Sequence, residues 1–301
     1  MANSIALAKQ YVSLLDETYK LASLTADLDG AADLARQGAN ANELIIPIMT
    51  MQGLGDYNRN SGYVDGDVTL TNETVACNFD RGRMFTVDTM DNMESAGIAF
   101  GRLAGEFIRT KVVPELDAFR FAQYASADGI SKATAATLST GDAVIKALRA
   151  ATTQMDEDEV PMENRYLYIT PTLHGLIQDM DTTKSREVLA RFAKVVDVPQ
   201  TRFYTAIIQK TGKVTVTGDS GHETTDDQSA GGYVKADAAK EINFMVIHKP
   251  AVIQFEKHIA PKIISPEQNQ DADAYKFGYR NVGIAKTYKN KVAGIYLHTK
   301  A

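Results

Sequence analysis

The helical period between Asp91 and Ser126 restricts the fold of this chain more than any other feature. Met93, Ala96, Phe100, Leu103 and Phe107 share one stripe, which Ile108, Val112, Leu116 and Phe119 carry round the helix. Glu94, Arg102, Glu106, Arg109, Lys111, Glu115, Asp117 and Arg120 are interspersed. At 1.5 Å per residue such a helix spans about 50 Å, longer than most globular helices. Pro114 should kink or restart it, because proline removes an internal hydrogen bond and its ring crowds the preceding turn.

Before this helix the period vanishes. Gly53, Gly55, Gly62 and Gly66 punctuate the stretch after Pro47, with Asp56, Asn58, Asn60 and Ser61 as turn formers. Val68 to Val75, Ala76 to Phe79 and Met84 to Asp88 then read as strands, with Asp80-Arg81-Gly82-Arg83 as a hairpin turn. A structureless loop of that length is improbable in a compact domain, so a hairpin or reaching element is expected. A long helix beside a long hairpin is an uncommon enzyme layout.

Elsewhere, Ser4 to about Leu28 has the spacing of an amphipathic helix, either packed on its own core or docked as an arm on a neighbour. Ser139 to Met155 is a second helix, followed by Asp156 to Glu159 as a solvated turn. Tyr166 to Thr170 reads as a strand ended by Pro171, and Lys184 to Val196 as a helix with room for a strand at its end. Gly212 to Gly232 is expected to be an exposed loop, and short strands dominate from Ile242 onward. The elements lack a regular βαβ rhythm.

Composition bounds the function. The chain has 301 residues, which suits about two domains and a core that needs no staples. A net charge of −6 argues against a protein whose main task is to grip nucleic-acid phosphates. Cys77 is the single cysteine, which excludes an internal disulfide and fits a reducing compartment. No apolar run approaches a membrane span, and the N-terminus does not resemble a secretion signal.

No catalytic constellation survives inspection. Gly218-Asp219-Ser220-Gly221 matches the tetrapeptide around a serine-protease nucleophile, but His222 follows it and one cysteine cannot support such a barrel. His174, His222, His248, His258 and His298 have no metal-ligand spacing. Gly212-Lys213 lacks the remainder of a phosphate loop, and Gly53-Leu54-Gly55 lacks the third glycine of a dinucleotide fingerprint. The reading is therefore not an enzyme, with no cofactor and no metal.

Several segments together resemble the major capsid proteins of tailed bacteriophages, which share the Hong Kong 97-like shell fold. They are Gly53 to Tyr57 with Gly62-Tyr63, Asp80-Arg81-Gly82-Arg83-Met84-Phe85, Val113-Pro114-Glu115-Leu116-Asp117-Ala118-Phe119-Arg120, Val246 to Val252 and Lys291 to Tyr296. They run in the family's order from about residue 45 to 298, while 212–232 has no counterpart. The resemblance implies an α+β fold in which residues 1–46 form an N-terminal arm. Residues 47–90 would form an extended β loop over a neighbouring subunit. Residues 91–126 and 241–301 would form a peripheral domain on the long spine helix, and 127–240 an axial domain.

The implied function is an icosahedral shell of hexamers and pentamers enclosing double-stranded DNA without sequence-specific binding, located in the virion capsid and assembled in host cytoplasm. A portal and a decoration protein are partners of such shells, and no membrane is involved. Some 40 residues precede the loop, short for a scaffold domain plus an arm, so an unprocessed N-terminus and a separate scaffolding protein are expected. Arg59, Arg81 and Arg83 are expected to meet carboxylates of adjacent subunits, with Arg81 and Arg83 alternatively stabilising their own turn. Residues 47–90 contain no lysine, so cross-links through a loop amine are not expected. A cellular nanocompartment shell and an oligomeric enzyme with a hidden site stay open as alternatives.

Overall fold

The computed structural model describes residues 23–30, 36–37, 43–60, 62–90, 98–180, 182–217 and 224–301. The expected N-terminal helix lies largely outside them. Where it was to end, Ala26–Leu28 instead form a single 3₁₀ turn.

Three sheets of three or more strands organise the described chain. The central one has the order β5-β15-β12-β6-β7, with β5 Ser131–Lys132, β6 Arg165–Ile169, β7 Lys194–Asp197, β12 Ile242–His248 and β15 Ile295–Thr299. Every residue of β12 is buried. Its side chains alternate, as a pleated strand requires. Phe244 and Val246 enter one core with Val144, Leu148 and Met155, while Met245 and Ile247 enter another with Leu116, Phe119 and Tyr124. A strand apolar on both faces must lie centrally between two layers. Those layers are helix α3 (Gly141–Glu157) with α4 (Pro171–Gln178) and α5 (Thr183–Leu189) on one side, and the long helix on the other.

The long helix is described from Ile98 to Ala125, about 42 Å at 1.5 Å per residue. It comprises α1 (Ile98–Phe107), a π-helical turn at Ile108–Val112 and α2 (Val113–Ala125), with Pro114 in the first turn of α2. Proline cannot donate to the carbonyl four residues earlier, and the wider turn before it takes up that lost register. Backbone angles at Phe107 and Val113 stay right-handed helical, so the helix changes register at the expected place and runs on.

Its other flank packs on the sheet β13-β14-β4, made of β13 Val252–Ile264, β14 Ala274–Thr287 and β4 Phe79–Asp88. Phe85, Phe107, Phe277 and Tyr279 form edge-on aromatic contacts there, with ring centroids 4.8 to 6.5 Å apart. The third sheet, β1-β2-β3, is β1 Arg36–Gln37 beside a hairpin of β2 Glu43–Met51 and β3 Val68–Ala76.

Several expectations need correction. Asp80-Arg81-Gly82-Arg83 lies inside β4 and is not a turn; Gly82 pairs with Arg280 across the ladder. A Cβ at Gly82 would lie 2.7 Å from the Tyr279 carbonyl, so the glycine serves close strand approach. The reaching hairpin therefore begins at Glu43 and ends at Ala76, and 79–88 belongs to the body. Across the expected division at residue 240 the central sheet is continuous: β12 and β15 pair with β6 and β5, whereas β13 and β14 join β4 in the sheet on the other flank of the long helix. Pairing between distant segments leaves no local mark. Residues 214–217 and 224–227 form strands β9 and β10 of a hairpin where a loop was expected, with 218–223 outside the described residues. As expected, a strand ends before Pro171, which opens helix α4, and the helix begun near Lys184 is followed by a strand, β7. Asp156 is exposed as expected but lies in the last turn of α3 and is paired, with Arg165 reaching it at 2.7 Å and Arg191 at 3.3 Å.

Candidate assembly surfaces

The hairpin of β2 and β3 pairs nine residues a side, so it projects about 30 Å at 3.3 to 3.4 Å per residue. Its base is tied to the body. Val75 packs with Ile253 and Ile284, and Lys289 and Lys286 reach Glu73 Oε1 at 3.0 and 3.3 Å. Burial raises the Glu73 pKa, but hydrogen bonds from the two lysines outweigh it and hold the carboxyl below its ordinary value of 4.5. A carboxylate with a lowered folded pKa stabilises the fold above its unfolded pKa and loses that contribution as pH falls through the folded one. The hairpin base should therefore loosen first below about pH 4.5. Amide hydrogen exchange of 43–51 and 68–76 measured downward from pH 6 checks this; protection unchanged until global unfolding is the opposing result.

Beyond the base the hairpin has no core. Met49 faces Leu70 and Met51 faces Val68 across the ladder, and all four side chains are more than half exposed. At the tip Leu54 is fully exposed, as is most of Tyr63, and Val64 and Tyr57 are also exposed, with the two tyrosine rings 4.9 Å apart. A two-stranded ribbon is marginal alone, and a contiguous exposed apolar face marks a contact surface. Arg59 sits exposed in the Asn58–Gly62 bridge at this tip, with no carboxylate partner among the described residues.

The other two arginines sit elsewhere. Arg81 Nε donates to Glu115 Oε1 at 2.7 Å and Nη2 to the Lys210 carbonyl at 2.8 Å, so Arg81 joins β4, the long helix and the 207–235 excursion of its own chain. Arg83 is exposed on β4, its guanidinium against Gly212 and Gly231, both at positive φ. Asp80 pairs with Arg280 at 2.6 Å, and that hydrogen bond holds the Asp80 carboxyl below its usual range. The structure thus separates the three expected contact residues: Arg59 lies on the hairpin tip, and Arg81 and Arg83 lie on the body.

The charges of α2 were the less legible part. Asp117 is fully buried and accepts hydrogen bonds from Thr25 Oγ1 (2.8 Å), Ser23 Oγ (3.0 Å), the Leu24 amide (3.2 Å) and Arg202 (3.2 Å). Arg120, also buried, reaches Glu256 at 2.7 Å and Thr25 Oγ1 at 2.8 Å. Gln254 donates to the Thr25 carbonyl and to Asp29 and accepts from the Tyr124 hydroxyl. Residues 23–30 are thereby fastened to α2 and β13. One signal was available: Leu116, Ala118, Phe119, Phe121 and Ala122 face all sides of a helix, and charges among them need buried partners.

Among the described residues no side-chain group has metal-ligand clustering. His174 contacts Asp197 at 2.7 Å and Gln178 at 3.3 Å. Gly218-Asp219-Ser220-Gly221 and His222 lie outside the described residues. No described helix is long and apolar enough to cross a membrane.

A long helix between two sheets, with a projecting hairpin, is the Hong Kong 97-like capsid fold. The chain is similar to a solved structure from Mycobacterium phage Che8, at 13% identity and a TM-score of 0.57 over 86% of this chain and 85% of that one. It is similar to the capsid structure of the Cyanophage P-SCSP1u, at 14% identity and a TM-score of 0.55 over 88% and 85%. A virus-like particle from Pyrococcus furiosus matches at 9% identity and a TM-score of 0.56 over 96% and 98%. No family model and no curated protein sequence matches the chain.

Proposed function

We propose that this chain is a major capsid protein that assembles into the icosahedral shell around a tailed phage's double-stranded DNA. The observation that carries the reading is a body bearing a hairpin of about 30 Å whose apolar face is left exposed by the described residues of its own chain. Copies of the same chain supply the cover, as hexamers and pentamers. Many weak contacts then add up to a stable lattice, while misplaced subunits can still leave. The net charge of −6 suits a wall around packed DNA, which would otherwise adhere to it. Arg59 and Arg83 are the proposed cations for carboxylates of adjacent subunits. Scaffolding protein, portal and decoration protein are the further partners of this reading, and the virion its location.

A nanocompartment shell is the second reading, favoured by the likeness to the Pyrococcus furiosus particle. Negative-stain microscopy of purified protein, with nuclease protection of particles from infected cells, separates the two. Closed shells protecting a genome support the first reading, closed shells without one the second, and only small oligomers refute both. We further expect a single monomer band when mature particles are run on a denaturing gel, because the hairpin carries no lysine and a guanidinium is a poor nucleophile. A reduction-resistant ladder would overturn that expectation.

A further inference from the structure

We propose that Met49 and Met51 form an oxidation site, at which sulfoxide formation withdraws a folded subunit from assembly. The inference rests on the shell reading and adds a chemical control to it. Methionine is among the residues most often buried. Yet five of the eight methionines among the described residues, Met49, Met51, Met84, Met90 and Met162, are more than half exposed. Met49 and Met51 stand two apart on β2, so both point to one face of the ribbon. Leu70 and Val68 lie directly across the ladder, and these four side chains make one outward apolar patch. Ile46 and Val75, on the opposite face, pack on the body with Ile253 and Ile284. Half of the outward patch is therefore thioether, open to solvent in the free subunit.

The co-reactant is hydrogen peroxide. A sulfur lone pair attacks one peroxide oxygen, and the S–O bond forms as the O–O bond breaks. The proton on the transferred oxygen passes to the departing hydroxide, which leaves as water. Sulfur gives up two electrons and the peroxide takes them. The product is a polar, chiral sulfoxide in place of a flexible apolar side chain. On the free ribbon water satisfies the new oxygen, so the fold is kept. Under a neighbouring copy it would lie against Leu70 or Val68 with no donor on its own face, and an unpaired buried polar group is costly. Met155 and Met245 are fully buried and escape the oxidant. Cys77, just past the hairpin, is the competing site. Burial raises its thiol pKa above the ordinary 9.0, which leaves little of the reactive thiolate.

The test treats purified subunits with hydrogen peroxide until peptide mass spectrometry shows one added oxygen at each of Met49 and Met51, and then puts them through assembly. Shell yield should fall at least about tenfold, since two unpaired polar groups per subunit cost more than a factor of ten represents. The thermal unfolding midpoint should stay unchanged. Methionine sulfoxide reductases should restore the yield; dithiothreitol, which reverses cysteine oxidation and leaves the sulfoxide, should not. A Met49→Leu, Met51→Leu variant keeps size and apolarity, so it should assemble equally well before and after peroxide. Undiminished yield, treated subunits that unfold, recovery with dithiothreitol alone, or a leucine variant as sensitive as wild type overturns the proposal and leaves the shell reading intact. If the leucine variant does not assemble even untreated, the reductase result on the wild type decides, and no recovery there overturns the proposal. Untreated subunits that form no shells overturn the shell reading, and this inference with it.

Discussion

Replacing Val68 and Leu70 by aspartate should abolish shell formation and leave the subunit folded. Both side chains are about two-thirds exposed on β3, opposite Met51 and Met49. Exposed substitutions away from packing or hydrogen-bond partners change stability by only about 0.5 kcal/mol. In the proposed shell the same positions would be covered, and each new carboxylate would face burial without a partner, which costs several kcal/mol. That cost recurs at every subunit, so a lattice of weak contacts does not form. Thermal unfolding of the subunit within a few degrees of wild type, beside an empty microscopy grid, is the expected pair of results. Normal shells would mean that the apolar face of the hairpin is not an assembly surface.

The largest loss of subunit stability is expected at Asp117→Ala. The carboxylate is fully buried and gathers donors from Ser23, Leu24, Thr25 and Arg202. Removing it leaves those donors and a guanidinium without their acceptor. Breaking a buried pair by removing one partner costs roughly 3–5 kcal/mol. The damage is also local, because residues 23–30 lose their hold on α2, and protease cleavage near Thr25 should quicken before the body unfolds. By contrast, Glu106→Ala on the same helix removes an exposed pair with Arg109, worth about 0–1 kcal/mol. Chemical denaturation of the two variants side by side decides the matter; equal losses would refute the buried hub.

Sequence by itself determined what depends on near neighbours along the chain. Leu103, Phe107, Leu116 and Phe119 recur at helical spacing, and Pro114 marks where the helix changes register, because both effects act within one or two turns. Thr140 caps α3 through the Ala143 amide for the same local reason. The glycine-punctuated stretch after Pro47 likewise announced a reaching hairpin.

Tertiary structure alone decided the rest. Asp80 to Arg83 has the letters of a turn, yet β14 offers a complete ladder, and pairing with a distant strand outweighs a local preference. Phe244 to Ile247 is an apolar run that does not state which partners flank it; β6 and β15, from opposite parts of the chain, do so. Glu115, Asp117 and Arg120 look like a solvated helix face until the elements around them are in place. A charge is surface or core according to what packs over it, and for Asp117 that cover comes from residues 23–25 and Arg202, more than eighty positions away in both directions.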